Sequence, residues 1–174
     1  ADGIVFIDEA YADFAGVTAL PLLEECENLI VLRTLSKSHS CAGLRVGFGI
    51  ASTALIDVLM KVKDSYNVNA VSQRAAVAAL RDRAHMEDVA VRIRATREWT
   101  ARELARDGWE VVPSSANFLL ARPPASRGSA EDVYDALSKH GFLIRHFATP
   151  RLTEMVRISI GTDEQMRELI ACLR

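Results

Sequence analysis

The sequence is poor in cysteine and histidine, and neither residue type is grouped. Its three cysteines lie far apart without a CxxC motif: Cys26, Cys41 and Cys172. Its four histidines are scattered in the same way: His39, His85, His140 and His146. Disulfide frameworks use even sets of cysteines, and structural zinc sites use ligand pairs at short spacing. We therefore expect reduced thiols and no metal site.

The sequence also lacks a charge excess and a long apolar run. It has 21 basic and 23 acidic residues, for a net charge of -2, so a basic surface for nucleic acid or anionic membrane is not expected. Its apolar stretches are far shorter than the roughly 20 residues that cross a bilayer. No basic segment followed by an apolar run opens the chain. The default expectation is a cytoplasmic protein with no membrane and no nucleic-acid partner.

Apolar residues, in contrast, make up 49% of the sequence, enough for one domain or two small ones. The run 4–7 predicts a strand covered on both faces. Because almost nothing precedes it to supply neighbouring strands, we expect the chain to be a fragment, the carboxyl-terminal part of a longer protein. A short helix over 21–27 and a strand over 29–32 complete a βαβ pattern, which is typical of a parallel sheet. The run 46–51 adds a third strand.

Helices dominate the middle of the chain, and a small sheet with helices on one face is predicted near its end. Ser52 is a candidate N-cap, and a long helical region over 72–106, with a joint near 81–85, ends at Gly108. The later elements are predicted in this order: strands 109–112 and 118–121, helix 131–140, strands 142–145 and 155–160, and helix 163–173. We divide the chain into the end of a large domain, 1–82, and a connecting helix with a small domain, 83–174.

The stretch 34–47 carries the chemistry. It places Lys37 among small hydroxyl and glycine residues just past a strand, with Arg45 eight residues later. Asp8 and Tyr11 follow the neighbouring strand, and ligands of open α/β sheets bind at the carboxyl ends of strands. We therefore expect the side chains of these four residues to meet at one edge of the sheet.

Those residue types suit pyridoxal phosphate. A lysine amine can form a Schiff base with its aldehyde and then move the α-proton of a substrate. An aspartate can keep the pyridine nitrogen protonated, so that the ring accepts electrons, and a tyrosine can bind the phenolate oxygen. An arginine can bind the phosphate, aided by the hydroxyls of Thr34 and Ser36.

Six segments carry a resemblance to a known family. They are Ile-Asp-Glu-Ala-Tyr at 7–11 with Phe14, Leu-Arg-Thr-Leu-Ser-Lys-Ser at 32–38, Ala-Gly-Leu-Arg-Val-Gly at 42–47, Ser-Ala-Asn-Phe at 115–118, Leu-Ile-Arg at 143–145 and Val-Arg-Ile-Ser-Ile-Gly-Thr at 156–162. The sequence resembles the fold-type I pyridoxal-phosphate-dependent aminotransferases, and within them the histidinol-phosphate aminotransferase family. His39 and Cys41 depart from its pattern, which has an aromatic or aliphatic residue there.

The resemblance implies an α/β fold: part of the mainly parallel large-domain sheet of the fold-type I transferases, plus an α+β small carboxyl-terminal domain. It implies that Lys37 is catalytic. The implied cofactor-binding residues are Asp8, Tyr11, Thr34, Ser36, Lys37 and Arg45. Arg157 matches the arginine that binds the anionic end of the substrate, and Arg145 matches one that helps to hold a substrate phosphate. Asn117 is either structural or close to the substrate carboxylate.

The implied reaction is transamination of histidinol phosphate with 2-oxoglutarate or glutamate in histidine biosynthesis, by a homodimer. The phosphate loop, ring-stacking aromatic residue and asparagine of such enzymes precede the segment that matches residues 7–11, so the 174 residues alone are expected to be inactive. Two alternatives keep the cofactor: an aromatic aminotransferase and a phosphothreonine decarboxylase. A third is a non-catalytic binding or dimerisation module. The presence of Asp8, Tyr11, Lys37 and Arg45 together favours an enzyme.

Overall fold

The computed structural model describes residues 2–174, which form two compact units. The first unit ends at Ala90 and the second spans Val91–Arg174, so the division falls inside the longest helix. The domain boundary expected after residue 82 stays a prediction. None of the helices described over residues 2–174 combines the length and the apolar character that crossing a membrane requires.

A three-stranded sheet with the order β1-β2-β3 forms the centre of the first unit. The elements of this unit are β1 (Val5–Asp8), α1 (Ala12–Ala15), β2 (Leu29–Thr34), β3 (Gly47–Ala51), α2 (Thr53–Val62), α3 (Ala70–Arg81) and the start of α4 (Arg83–Arg106). Short 3₁₀ turns lie at Leu20–Glu24 and Ala42–Leu44. Asp82 separates α3 from α4, within the predicted joint.

The first two strands are parallel and the third is antiparallel to β2. Asp8 is paired with Leu32 in the parallel ladder, as a βαβ pattern predicts, whereas Thr34 faces Gly47 in the antiparallel one. A parallel return needs a crossover of a dozen or more residues, usually with a helix. The connection between β2 and β3 contains only a three-residue 3₁₀ turn, so the chain comes back beside β2 in the opposite direction.

Burial differs sharply between the first two strands. The β2 residues Leu29, Ile30 and Val31 are at most 3% exposed, whereas Ile4 and Phe6 at β1 are 54% and 58% exposed. Within residues 2–174, β1 pairs with β2 alone and lies at the edge of the sheet. The apolar run 4–7 therefore forms a strand, but the described residues do not cover it on both faces.

The second unit contains an antiparallel four-stranded sheet in the order β4-β5-β7-β6. Its elements after α4 are β4 (Glu110–Val112), β5 (Phe118–Arg122), α5 (Ala130–Lys139), β6 (Arg145–His146), β7 (Val156–Ser159) and α6 (Asp163–Leu173), with a 3₁₀ turn at Ala125–Arg127. Alternate residues of β5 and β7, among them Leu119 and Ile158, enter a core that also contains residues of α4, α5 and α6. Since side chains alternate along a strand, Arg157 lies on the sheet face away from that core.

Candidate active site

The candidate site lies along one edge of the three-stranded sheet. Because Asp8 pairs with Leu32, the carboxyl ends of β1 and β2 meet at this edge. The antiparallel β3 starts there, so the connection over residues 35–46 both leaves and re-enters the sheet at the same place. Tyr11 follows β1, and Lys37 and Arg45 belong to the connection. The fold therefore brings Asp8, Tyr11, Lys37 and Arg45 to the same edge.

Lys37 and Tyr11 are in direct contact. The Lys37 Nζ lies 5.3 Å from the centroid of the Tyr11 ring, and both side chains are half-buried. An ammonium group over an aromatic face is attracted by the electrons of the ring. Within residues 2–174, no carboxylate forms an ion pair with this lysine. The amine is thus held over an aromatic ring, and no acid of the described residues pairs with it.

Asp8 and Arg45 carry exposed charges at the two sides of the site. The Asp8 Oδ1 accepts a hydrogen bond from the Ala10 amide at 2.9 Å, which fixes the carboxylate in a local turn. Arg45 adopts a left-handed conformation (φ 56°), and its Nη1 donates to the Ala42 carbonyl at 2.8 Å. A guanidinium has five N–H donors, so this one bond leaves most of them for an anion.

The hydroxyls of Thr34 and Ser36 differ in what they contact. The Thr34 Oγ1 accepts from the Ser36 amide at 3.1 Å and donates to the Val46 carbonyl at 3.4 Å. Thr34 therefore helps to close the connection between β2 and β3. The Ser36 side chain is half-buried, and its hydroxyl makes no hydrogen bond to another of residues 2–174.

A buried polar network below this edge was missed by the sequence reasoning. Arg33 forms ion pairs with Glu9 at 2.6 Å and with Asp13 at 2.9 Å. Burial alone would raise the pKa of Glu9, but hydrogen bonds from Ala19 and Thr18 and the positive charge of the guanidinium outweigh it, so the pKa lies below its ordinary value. The signal in the sequence was an arginine within an apolar strand, which must find an acidic partner when it is buried.

His39 and Cys41, the two departures from the family pattern, contact each other through the backbone. The Cys41 Sγ donates to the His39 carbonyl at 3.0 Å, and the His39 Nδ1 lies 3.2 Å from the Ser38 hydroxyl. Burial lowers the pKa of His39; the Asp13 carboxylate acts in the opposite direction, and nearby positive charges add to the decrease. Neither residue takes the place of Asp8, Tyr11, Lys37 or Arg45 at the sheet edge.

Arg145 and Arg157 lie directly opposite each other on β6 and β7 in the second unit. Like charges at facing positions of an antiparallel pair are unfavourable. Each guanidinium carbon lies 5.3 Å from a ring centroid, that of Phe147 for Arg145 and that of Phe118 for Arg157. The buried Nε of Arg157 finds no hydrogen-bond partner within residues 2–174. Two arginines in this arrangement would be stabilised by an anionic ligand.

Asn117 lies in the turn before β5. This turn is held by Arg97, a residue that the sequence analysis did not single out. The Asn117 carbonyl accepts from the Ile160 amide at 2.9 Å. Arg97, only 8% exposed, donates from Nη1 to the neighbouring Ala116 carbonyl at 2.8 Å. The Asn117 amide is half-buried and makes no side-chain hydrogen bond to another of residues 2–174. Across those residues, no group of three acidic, histidine or cysteine side chains is placed to hold a metal ion.

A comparison with models of protein families shows which family the chain belongs to. The model of the aminotransferase class I and II family matches residues 1–173. The chain belongs to this family. The resemblance predicted from the six segments is therefore confirmed at the level of the aminotransferase family.

Within the aminotransferases, the curated relatives of this chain include histidinol-phosphate aminotransferases. The histidinol-phosphate aminotransferase of Geobacter sulfurreducens is 46% identical over 172 residues, which are 99% of this chain and 49% of that protein. The chain therefore spans about half the length of the curated relatives it matches.

Two solved structures, of an aminotransferase and of a decarboxylase, share the fold. Histidinol-phosphate aminotransferase from Sinorhizobium meliloti, in complex with pyridoxal-5'-phosphate, is 30% identical with a TM-score of 0.86, over 98% of this chain and 47% of that one. L-Threonine-O-3-phosphate decarboxylase from Porphyromonas gingivalis is 26% identical with a TM-score of 0.81, over 97% of this chain and 53% of that one. These likenesses confirm the predicted fold-type I class.

Proposed function

We propose that this chain forms part of a pyridoxal-phosphate-dependent enzyme that transfers an amino group between histidinol phosphate and the glutamate/2-oxoglutarate pair, in histidine biosynthesis. The observation that carries the proposal is the Lys37 amine over the Tyr11 ring, at the sheet edge that also holds Asp8 and Arg45. Family membership and the 46% identical relative support it. Since the chain spans about half of such relatives, the active enzyme is proposed to include an amino-terminal half as well.

The residues present fit the cofactor. Pyridoxal phosphate requires an amine for its aldehyde, an acid for its ring nitrogen, a hydroxyl for its ring oxygen and a cation for its phosphate. Lys37, Asp8, Tyr11 and Arg45 supply these groups at one edge, and Lys37 is not neutralised by an acid of the described residues. Ser36 offers a further hydroxyl for the phosphate, whereas the Thr34 hydroxyl is engaged in closing the loop.

When bound, pyridoxal phosphate supplies a ring that accepts the electron pair left behind when a substrate loses its α-proton. Lys37 is proposed to take that proton at Nζ and to deliver it to the C4′ carbon of the cofactor in the same half-reaction, and the second half-reaction would run the same transfer in reverse. The Asp8 carboxylate would accept a hydrogen bond from the protonated ring nitrogen, and the Tyr11 hydroxyl would bind the ring oxygen. Arg45 and Ser36 would hold the phosphate and thereby fix the orientation of the ring.

Arg145 and Arg157 are proposed to bind the anionic ends of both substrates. Histidinol phosphate is an amino alcohol without an α-carboxylate, so its phosphate must be recognised, whereas glutamate offers two carboxylates. A guanidinium binds either group through paired N–H donors. The facing positions of the two residues and the unpartnered Nε of Arg157 support this role. Asn117 is proposed as a neighbour of the substrate carboxylate.

The test uses the full-length protein that contains these residues, assayed with histidinol phosphate and 2-oxoglutarate. Lys37→Ala is expected to lower kcat by about 1,000-fold, because it removes the acid–base group. It should also abolish the visible absorption of lysine-bound cofactor. Lys61→Ala, at an exposed lysine in the last turn of α2, is the matched control and should leave both unchanged. An enzyme that keeps its rate after Lys37→Ala would overturn the proposal.

The substrate assignment has its own test. Arg145→Lys keeps the charge but loses the paired donors, so the KM for histidinol phosphate should rise about tenfold or more. The KM for phenylalanine, which has no phosphate, should change much less. Arg102→Lys, at an exposed arginine of α4, serves as the control. Equal changes for both substrates would argue for an aromatic aminotransferase.

A decarboxylase is the second candidate, because the Porphyromonas gingivalis enzyme shares the fold over 97% of this chain. Release of carbon dioxide from phosphothreonine, without glutamate formation, would favour it over an aminotransferase. A full-length protein that neither binds pyridoxal phosphate nor reacts with any of these substrates would favour a non-catalytic module.

The assembly and location of the enzyme are also proposals. A cytoplasmic homodimer suits a biosynthetic aminotransferase of this family. Sedimentation of the full-length protein at micromolar concentration should give twice the monomer mass, and a monomer that is fully active would contradict it.

A further inference from the structure

A chain of buried polar contacts links the residue after Asp8 to the residue after Lys37. It consists of Glu9, Arg33, Asp13 and Ser38, and we call it the polar tether. Its two ends are almost inaccessible, since Glu9 is 7% and Ser38 is 1% exposed. The proposed chemistry uses none of the four side chains, although it uses a direct neighbour of both ends.

Glu9 anchors the first end of the polar tether. The Thr18 hydroxyl lies 3.0 and 2.8 Å from the two carboxylate oxygens, and the Ala19 amide donates to one of them. The Arg33 Nε donates to the other at 2.8 Å. A carboxylate with this many donors stays charged and holds its position.

Arg33 and Asp13 carry the connection onward. While its Nε is bound to Glu9, Arg33 donates from Nη1 to the Asp13 Oδ1 at 2.9 Å. The guanidinium is planar and rigid, so it fixes the two carboxylates relative to each other. The second oxygen of Asp13 accepts a hydrogen bond from the Ser38 hydroxyl at 2.5 Å.

Ser38 ties the loop that carries Lys37 to an element outside that loop. The backbone bonds from Leu35 to Val46 and from Cys41 to Leu35 close the loop on itself. The Ser38 hydroxyl instead reaches Asp13, which belongs to α1, the helix that follows β1. The backbone next to Lys37 is therefore fixed relative to the strand that ends in Asp8.

We infer that the polar tether is a positioning device, which sets the direction of the Lys37 amine relative to Asp8 and Tyr11. This positioning role rests on the proposed function, because only a bound cofactor makes that direction matter for a reaction. Compared with apolar residues of similar size, a buried set of ion pairs adds little net stability, whereas a misplacement of about 1 Å at a reacting group costs about 100-fold in rate. The geometry therefore serves alignment more than stability.

The first test needs no cofactor. The full-length protein is stripped of cofactor and labelled with an amine-reactive reagent, and the rates at Lys37 and at the exposed Lys61 are compared by mass spectrometry. Ser38→Ala removes the hydroxyl, and loss of one hydrogen bond should raise the Lys37/Lys61 ratio about threefold or more. Ser38→Thr, which keeps the hydroxyl, should restore the ratio. Ser65→Ala, at an exposed serine, is the control.

The second test uses the protein loaded with pyridoxal phosphate. Ser38→Ala should move the pH midpoint of the visible absorption by about half a pH unit or more, because the charges around the lysine act at changed distances. It should lower kcat about tenfold with a less than twofold change in KM, which is the pattern of a lost alignment. Ser38→Thr should again restore both values.

The outcomes separate the two proposals. If the unaltered protein shows no visible absorption with pyridoxal phosphate, the proposed function fails. If, in addition, Ser38→Ala leaves the Lys37/Lys61 labelling ratio unchanged, the positioning role of the polar tether fails as well. If the unaltered protein absorbs and reacts but Ser38→Ala changes only the unfolding midpoint, the polar tether is a structural feature and the positioning role is wrong.

Discussion

Glu9 keeps its charge although its side chain is almost fully buried. Its pKa is lower in the folded chain than its ordinary value of 4.5, because the hydrogen bonds and the Arg33 guanidinium outweigh the effect of burial. The ionised carboxylate therefore contributes its full stabilisation of the fold at pH values above 4.5. This contribution disappears as the pH falls through the lowered pKa, where the folded form also takes up the proton.

Glu9→Gln should lower the free energy of unfolding by about 2–4 kcal/mol at neutral pH, because Arg33 loses its most buried partner. The difference from the unaltered protein should shrink as the pH falls below 4.5 and through the lowered pKa of Glu9, where the carboxylate of the unaltered protein is itself being protonated. Urea denaturation at both pH values measures it.

Glu87→Gln is the matched control for this change. Glu87 pairs with Arg83 on the surface of α4, at 3.2 Å and with 59% of its side chain exposed. Such pairs contribute at most about 0.5 kcal/mol. A loss for Glu9→Gln that is as small, or that does not depend on pH, would show that the charge of Glu9 is unimportant.

Gly47, where the chain re-enters the sheet, is a position that has no room for a side chain. A Cβ added there would lie 2.9 Å from the backbone carbonyl oxygen of Arg33, closer than ordinary contact allows. Gly47→Ala should therefore destabilise the protein by about 1–3 kcal/mol. Gly43→Ala, where a Cβ meets nothing within 4 Å, should be nearly neutral. Thermal unfolding of both variants tests this, and equal midpoints would contradict it.

The sequence predicts that the charged groups share one edge of the sheet, because each lies next to the end of an apolar run that forms a strand. Asp8, Lys37 and Arg45 each follow or precede an apolar run, and the contact between Lys37 and Tyr11 agrees with the predicted grouping. Their roles toward a cofactor stay predictions. The polar tether was not predictable, since the pairing of Arg33 with Glu9 and Asp13 depends on side-chain positions that spacing does not specify.

Helix ends determined how well the later elements could be predicted. The turn before residue 163 predicts a helix over 163–173, and α6 spans Asp163–Leu173 with a capping box between Thr162 and Gln165. The strand predicted over 142–145 is reduced to Arg145–His146. Phe142, the first residue of the predicted strand, instead closes the turn after α5, because its amide donates to the Leu137 carbonyl after Gly141. An apolar residue after a helix-ending glycine fits either structure.

Thr162→Ala tests the contribution of a cap to an element. The Thr162 side chain accepts from the Gln165 amide, so its loss should lower the free energy of unfolding by about 1 kcal/mol. Thr53→Ala is the control, because Thr53 is an exposed residue in the first turn of α2 and does not cap it. Urea denaturation distinguishes the two variants, and equal values would show that the cap contributes nothing.

For the molecule as a whole, exposed apolar side chains are unevenly distributed. Most of the large ones lie in the first unit, on β1, α2 and α3, whereas the side chains of the second unit enclose a continuous core. Apolar residues clustered on a surface promote association in water. Within residues 2–174, β1 lies at the edge of its sheet, and the backbone groups on its outer side add to that tendency.

Phe6→Lys should reduce self-association of the 174-residue chain, because a charge on an edge strand opposes pairing with another chain. Sedimentation at increasing concentration measures the effect as a lower mean mass. Val17→Lys adds the same charge at a 72% exposed residue outside the sheet and should have little effect. If both variants reduce association equally, net charge and not the edge strand is responsible.

The consecutive carboxylates Asp8 and Glu9 restrict how the chain can change in length. One is exposed and the other is buried, because neighbouring side chains at a strand end point to opposite sides. A single-residue insertion or deletion within β1 would shift this alternation, so that Asp8 and Glu9 could not both keep their present environments. We therefore expect this segment to tolerate changes of length less well than conservative substitutions. We expect changes in length to be tolerated better in an exposed turn, such as residues 125–128.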